Sequence, residues 1–469
     1  MTTIAKAAGP HMRLVDPGPS HAATPAFDAS VSSFDAGAPS FDATVSGLVS
    51  TLGLSEPGVP LGHHGPFRSV VPAAGMAGRP DSRSGRTGEL QAQVEELLGA
   101  MRVAVIYGGD KAESGAVLFP THNPRSWKSY QAVAEDIAAS LERLGARNVA
   151  VMADDMRLQG RLQDEAIDFA WLNTGGVQGM GAVCHASAQL EMLGVPYVGH
   201  DPLTAAILDS KHTFKRQIDA MGIPTAPFMT WHGANGPFMP TADPRFARAF
   251  GRWEGEFVVK PVSGRASLHV EHVARVADLP AVAQQVFDAT QNHVMIEGYL
   301  SGREYCIAAC GNVVAADGRL ERREGPFTFC AIERVLESDE RIFTSMDKKA
   351  ITKARIRHLD PVADRSVATA LHRLGRRVFE EMELETLVRL DVRADGNGNL
   401  HVLEANPKPD LKAPTADGVT SIVAEALEHR GMAYDDLILS LLADRVDGLF
   451  RKRRGSVNHL VELLDKADA

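Results

Sequence analysis

Val388-Arg389-Leu390-Asp391-Val392, then Asp395-Gly396-Asn397-Gly398-Asn399, then Leu400-His401-Val402-Leu403-Glu404-Ala405-Asn406: the reading of this stretch decides the rest of the chain. Residues 388–392 and 400–403 have the alternation of extended segments, and the five residues 395–399 are dense in turn formers. A hairpin of this kind brings Asp391 and Glu404 side by side, with Asn406 next to them. Two carboxylates about 4 Å apart repel by roughly 4 kcal/mol at an effective dielectric near 20. A cation is the simplest remedy. Carboxylate and amide oxygens are hard ligands of the kind that hold Mg²⁺ against phosphates. The bland alternative is a solvated hairpin with scattered acids.

Size and composition bound what surrounds this hairpin. With 469 residues the chain has room for several domains. Its 44% hydrophobic and 23% charged residues are ordinary for a globular protein. A net charge of −10 argues against a nucleic-acid partner, and the basic run Arg451-Lys452-Arg453-Arg454 reads as a solvated helix edge. Cys184, Cys306, Cys310 and Cys330 have neither zinc nor redox spacing. No apolar stretch reaches membrane-span length, and the N-terminus lacks the apolar core of a secretory signal. A cytoplasmic protein is expected.

Residues 1–86 read as a disordered, low-complexity extension rich in Ala, Ser, Gly and Pro. Within it Phe27-Asp28-Ala29, Phe34-Asp35-Ala36 and Phe41-Asp42-Ala43 recur at seven-residue spacing, too few times for a solenoid. His63-His64 reads as loop rather than metal site. Residues 87–100 form an amphipathic helix carrying Leu90, Val94, Leu97 and Leu98 on one face. Met101 would serve as a start codon, which makes everything before it an expected dispensable extension.

From Arg102-Val103-Ala104-Val105-Ile106-Tyr107-Gly108-Gly109 onward, strands at 149–152, 167–172 and 195–198 alternate with helices at 131–144 and 185–193. That alternation predicts a doubly wound, Rossmann-like α/β domain over 101–203. Gly108-Gly109 continues as Asp110-Lys111-Ala112-Glu113-Ser114-Gly115, so the dinucleotide fingerprint is missing. Residues 204–430 mix α and β differently, with a helix at 211–221, a strand at 257–261, strands at 294–297 and 304–309, and a helix at 367–382 before the hairpin. A helical tail fills 431–469.

Two lysines are placed to meet phosphates: Lys211 on its helix and Lys260 at a strand end. Val259-Lys260-Pro261 leads into Ser263-Gly264-Arg265-Ala266-Ser267, whose small residues let backbone N–H groups approach phosphate oxygens. Glu297 and Glu304 flank Gly298-Tyr299-Leu300-Ser301-Gly302-Arg303, and one acid there can accept ribose hydroxyls.

These elements, in this order, resemble the ATP-grasp carboxylate–amine ligases of the D-alanine–D-alanine ligase family. The likeness rests on Gly108-Gly109 with Glu113, Asp209-Ser210-Lys211, Lys260-Pro261 with its loop, Glu297 with Glu304, and Arg389-x-Asp391 with Glu404-x-Asn406. Leu193-Gly194-Val195-Pro196-Tyr197-Val198-Gly199 and Met221-Gly222-Ile223-Pro224 also look like that family's junction phrases. It covers roughly 101–430. The resemblance implies an ATP-grasp fold behind the α/β domain, and a reaction in which ATP phosphorylates a carboxylate that an amine then attacks. It implies ATP and two Mg²⁺ (with Mn²⁺ as a substitute), the metals held by Asp391, Glu404 and Asn406. Lys211 and Lys260 would bind phosphates, Glu304 the ribose, and Glu297, Gly298, Tyr299 and Leu300 would line the adenine pocket. Arg389 would face an oxyanion, or else pair with Asp391 or Glu404. Glu113 would meet the first substrate's ammonium, or else serve as a helix N-terminal acid. A homodimer acting on small-molecule amino-acid or peptide substrates is implied as well.

The departures fall on substrate-facing positions. The family's glycine loop ends in two serines; here these are Ala266 and Ser267, and only Ser267 remains for a catalytic role. The lid tyrosine has no counterpart in Phe343-Thr344-Ser345-Met346-Asp347-Lys348-Lys349. After the asparagine, Pro407-Lys408-Pro409-Asp410 replaces the family's Pro-Gly with an aspartate, and Lys408, Asp410 and Lys412 become candidate substrate contacts. Leu172-Asn173-Thr174-Gly175-Gly176 lacks the family's His-Gly. The expected function is therefore a ligase with altered substrates. The alternatives are an ATP-binding regulatory protein without turnover, and a metal-dependent hydrolase that needs no ATP.

Overall fold

The computed structural model describes residues 82–110, 113, 129–179, 181–264, 267–338, 340–342, 355–360, 362–415, 421–427, 430–452 and 457–467. All of them lie in one unit, Ala77–Ala469. The Phe-Asp-Ala repeats, His63-His64, Arg265, Ala266 and the stretch 343–349 fall outside the described residues.

The expected α/β domain is built on four parallel strands in the spatial order Asn148–Ala153, Arg102–Tyr107, Phe169–Asn173, Tyr197–Val198. The run Val103-Ala104-Val105-Ile106 is apolar throughout because both sheet faces are covered. Val103 and Val105 join one core with Ile137 and Leu141 of the helix Gln131–Arg143. Ala104 and Ile106 join another, with Leu158, Leu162 and Leu190. The carboxyl ends of the first three strands gather Gly108-Gly109, Asp154 and Asn173-Thr174 at one edge, where open α/β sheets take ligands.

The helix before Met101 corrects an expectation. It runs Ser82–Ala100, starting five residues earlier than expected. Leu90, Val94, Leu97 and Leu98 are all buried, as is Met101. They belong to the core that also holds Val103, Leu437, Leu441 and Leu460. Residues 82–100 are therefore no dispensable extension: one apolar face of this helix is a wall of the core. The tail expected at 431–469 is likewise part of it, through the helices Tyr434–Lys452 and Asn458–Ala467.

Two larger antiparallel sheets, with a two-stranded one of Val313–Ala316 and Arg319–Arg322, make up the rest among the described residues. One has the order Phe228–Trp231, Val294–Gly298, Phe257–Pro261, Glu271–Val273, backed by the helix Leu279–Thr290. The other runs Ile356–His358, Ile332–Arg334, Glu304–Cys310, Val388–Ala394, Leu400–Asn406, with Phe327–Thr328 also on Glu304–Cys310. Val388, Leu390 and Val392 turn one side of the latter onto Phe214 and Ile218 of the helix Lys211–Ala220 and onto Leu371 and Val378 of the helix Arg365–Glu381. The period of two leaves Arg389, Asp391 and Arg393 for the opposite face. Among the described residues no helix is long and apolar enough to cross a membrane.

Candidate active site

The hairpin is formed as expected, with a refinement that matters. Ala394, Arg393 and Val392 pair with Leu400, His401 and Val402; the register then shifts, and Asp391 pairs with Glu404, Leu390 with Ala405 and Arg389 with Asn406. Strict alternation from Val402 would turn Glu404 into the core. The extra residue Leu403 absorbs the step, so Val402 and Ala405 stay in the core while Glu404 and Asn406 share a face with Asp391. Asp395 closes the turn by accepting from the backbone N–H groups of Asn397 and Asn399 at 2.9 Å each, and Gly398 supplies the left-handed residue at φ 85°.

The charges around the hairpin interlock. Arg389 donates to Asp391 from Nε at 2.9 Å and from Nη2 at 3.2 Å. Nη1 of Arg334 lies 3.1 Å from the Oδ2 of Asp391 and 2.9 Å from the Oε1 of Glu304. Arg393 reaches the other oxygen of Glu304 at 3.4 Å. Burial opposes the charge of Asp391, but Arg334 and Arg389 outweigh it and hold the carboxyl at about 2. Lys211 pairs with Glu404 at 3.2 Å and donates to the carbonyl of Gly264 at 3.1 Å. Glu297 sits buried between Lys215 and Lys260, with Lys260 at 2.6 Å. Burial works against its ionisation, yet the two lysines hold it below its ordinary value; burial pulls Lys215 down, while Glu297 and Glu404 overcome the same penalty at Lys260.

The structure thus brings Lys211, Lys260, Glu297, Glu304, Arg389, Asp391, Glu404 and Asn406 together, and adds Lys215, Arg334 and Arg393. Lys215 had a signal, since it lies four residues after Lys211 on the same helix face. Arg393 had one too, two residues past Asp391 on the same strand face. Arg334 had none: it reaches the site through strand pairing, opposite Glu304. Gly298, Tyr299 and Leu300 are buried beside this set. A Cβ on Gly298 would stand 2.8 Å from the Trp253 ring, so glycine is required there. Tyr299 donates to the carbonyl of Arg341 and carries the Arg393 guanidinium 4.8 Å from its ring centroid.

Other expected residues are engaged elsewhere. Glu113 is half exposed and accepts from Arg157 at 2.5 Å. Ser267 is exposed, with a left-handed backbone at φ 52°. Lys408 lies 3.3 Å from the Tyr130 ring centroid and 3.3 Å from the Oδ1 of Asn173, which ties the hairpin's exit to the carboxyl edge of the parallel sheet. Asp410 turns back to accept from the backbone N–H of Lys412 at 3.0 Å.

At that same edge Asp154 is buried and accepts from Thr174 Oγ1 at 2.6 Å. Burial pushes its carboxyl up to about 6, against the Thr174 hydrogen bond. A carboxyl raised on folding is protonated in the native state while ionised in the unfolded chain, so stability falls as pH rises through roughly 4 to 6. Asp154→Asn keeps the acceptor and removes that cost. Its melting temperature is expected to rise relative to the parent at pH 8 and by less at pH 4.5, as thermal melts at the two pH values will check.

Asp391, Glu404 and Asn406 offer an all-oxygen donor set that suits Mg²⁺. The Nδ2 of Asn406 is buried with no partner among the described residues, so this amide has hydrogen-bonding capacity left over. No three His, Cys, Asp or Glu side chains among the described residues stand close enough to hold an ion by themselves. The donor chemistry fits, provided that a ligand supplies the remaining oxygens.

A parallel α/β domain followed by two antiparallel sheets with facing lysines and a carboxylate hairpin is the ATP-grasp architecture. Residues 218–443 match the family described as D-ala D-ala ligase C-terminus. A D-alanine–D-alanine ligase of Pseudomonas entomophila (strain L48) is 27% identical over 362 residues, covering 74% of this chain and 93% of that protein. The ATP complex of the Bacillus anthracis D-alanine–D-alanine ligase superposes with a TM-score of 0.53 at 18% identity, over 76% of this chain and all of that one. A D-Ala:D-Ser ligase from Enterococcus faecalis gives 0.52 at 15% identity, over 74% and 99%. Over residues 218–443 the chain is similar to the D-alanine–D-alanine ligase family, and it shares the ATP-grasp fold of those two solved ligases.

Proposed function

We propose that this chain joins a carboxylate to an amine through an acyl phosphate, converting ATP to ADP and phosphate. The observation that carries the reading is the placement of Asp391 directly opposite Glu404, with Lys211 paired to Glu404 and Lys260, held by Glu297, in the field of the same Glu404 carboxylate. Lys211 and Lys260 would hold phosphate oxygens, Glu304 the ribose, and residues 297–300 would line the adenine pocket. Asp391, Glu404 and Asn406 would hold two Mg²⁺, which when bound neutralise charge on the transferring phosphoryl group. Arg389, anchored by Asp391, would present its remaining N–H groups to the oxyanion formed as the amine attacks.

Substrate choice is read from the other side of the cleft. Glu113 and Ser267 would contact the first substrate, and Lys408, Asp410 and Lys412 the second. With Glu113 paired to Arg157 and a lysine and an aspartate after Asn406, the substrates need not be two D-alanines. The D-Ala:D-Ser ligase of Enterococcus faecalis is a precedent for altered choice on this fold. A cytoplasmic homodimer without nucleic-acid or membrane partners completes the proposal. ADP release measured with a panel of D- and L-amino acids and dipeptides is expected to rise several-fold above the ATP-only rate with at least one pair. Nucleotide binding without turnover on any acceptor would instead support the regulatory alternative.

A further inference from the structure

Arg334 lies at the junction of the two carboxylates assigned different tasks. Its side chain is only 11% exposed, and one nitrogen, Nη1, serves both Asp391 Oδ2 and Glu304 Oε1. Strand pairing sets Arg334 directly opposite Glu304, and Glu304 directly opposite Arg393, so the three side chains form a row across adjacent strands. Asp391 is saturated as well, since both its oxygens are also claimed by Arg389. The interlocked set holds six basic groups (Lys211, Lys215, Lys260, Arg334, Arg389 and Arg393) against four carboxylates (Glu297, Glu304, Asp391 and Glu404). A bare divalent cation would enter a site with a positive excess and find Asp391 already neutralised. A polyphosphate would find a complementary field.

We infer that Arg334 is a phosphate-responsive positioning residue, which holds Asp391 and Glu304 together until a nucleotide polyphosphate draws its guanidinium away. Its departure would open one lone pair on Asp391 Oδ2 to a metal and one on Glu304 Oε1 to a hydroxyl in one movement, while Arg389 and Arg393 keep the two carboxylates in place. Divalent metal would then bind with the nucleotide and not before it. A planar guanidinium suits the exchange, because carboxylate and phosphate present it with the same bidentate geometry. This inference rests on the ligase reading for its ligand, though its test does not require turnover.

The test measures Mn²⁺ binding by the loss of the free-ion electron paramagnetic resonance signal, with and without ADP, and ADP binding by calorimetry. The parent chain is expected to bind Mn²⁺ at least tenfold more weakly without ADP than with it. In Arg334→Gln, nucleotide-free Mn²⁺ binding is expected to tighten about tenfold and ADP binding to weaken about tenfold, the value of one charge-assisted hydrogen bond. Removing one partner of a buried charged set endangers folding, so Arg334→Gln/Glu304→Gln, which keeps the set's net charge, is measured alongside; its nucleotide-free Mn²⁺ binding is expected to tighten equally. Unchanged Mn²⁺ binding in whichever variant is folded by circular dichroism overturns the role of Arg334, while a parent chain that binds no ADP overturns the ligase reading instead.

Discussion

A chain cut to begin at Met101 is expected to be insoluble or unfolded, whereas one cut to begin at Ser82 is expected to melt within a few degrees of the full chain. The first cut removes Leu90, Val94, Leu97 and Leu98, which are at most 3% exposed. Each such side chain contributes about 1.5–3 kcal/mol by leaving water. Together they match the whole stability of an ordinary domain, about 5–15 kcal/mol. The cut also uncovers Leu437, Leu441 and Leu460 in the same core. The second cut leaves all these contacts in place. Expression yield and thermal melting of the two truncations separate the outcomes, and a folded, active chain from Met101 would contradict the burial of this helix.

The helix also shows where reading the sequence succeeds and where it stops. Its apolar face was legible from a 3.6-residue period, but a period says only that a face is covered, not that the rest of the fold needs it. The alternation of 101–203 and the hairpin at 388–406 were legible for a related reason, since both are local patterns bounded by turn residues. The register shift was not, because Leu403 differs from a regular strand residue only once its partner strand is known. Arg334 lies further still from local pattern. Its meaning comes from standing opposite Glu304 in a sheet whose strands are 30 residues apart in sequence. The partners of Glu113 and Lys408 were hidden likewise: Arg157, Asn173 and Tyr130 reach them only through tertiary packing.

The hairpin itself yields the second large effect, through two substitutions that the sequence alone makes look equivalent. Glu404→Gln is expected to cut ADP release by about 10²–10³-fold, the usual loss when one preorganised charge is withdrawn from a transferring group. Its cost in stability is expected to stay below about 1 kcal/mol, because the side chain is 26% exposed and its ion pair is to Lys211, which keeps the Gly264 carbonyl. Asp391→Asn should lose as much activity and also about 3–5 kcal/mol of stability, since the Arg389 guanidinium, only 13% exposed, would be left without a countercharge. Denaturant melts set beside ADP-release rates distinguish the pair. If Glu404→Gln retained activity, the hairpin would be a charged strut and not a metal site. If Asp391→Asn melted like the parent, the arginines would be holding that strand weakly, and the positive excess from which a polyphosphate site is inferred would have to be balanced by other groups.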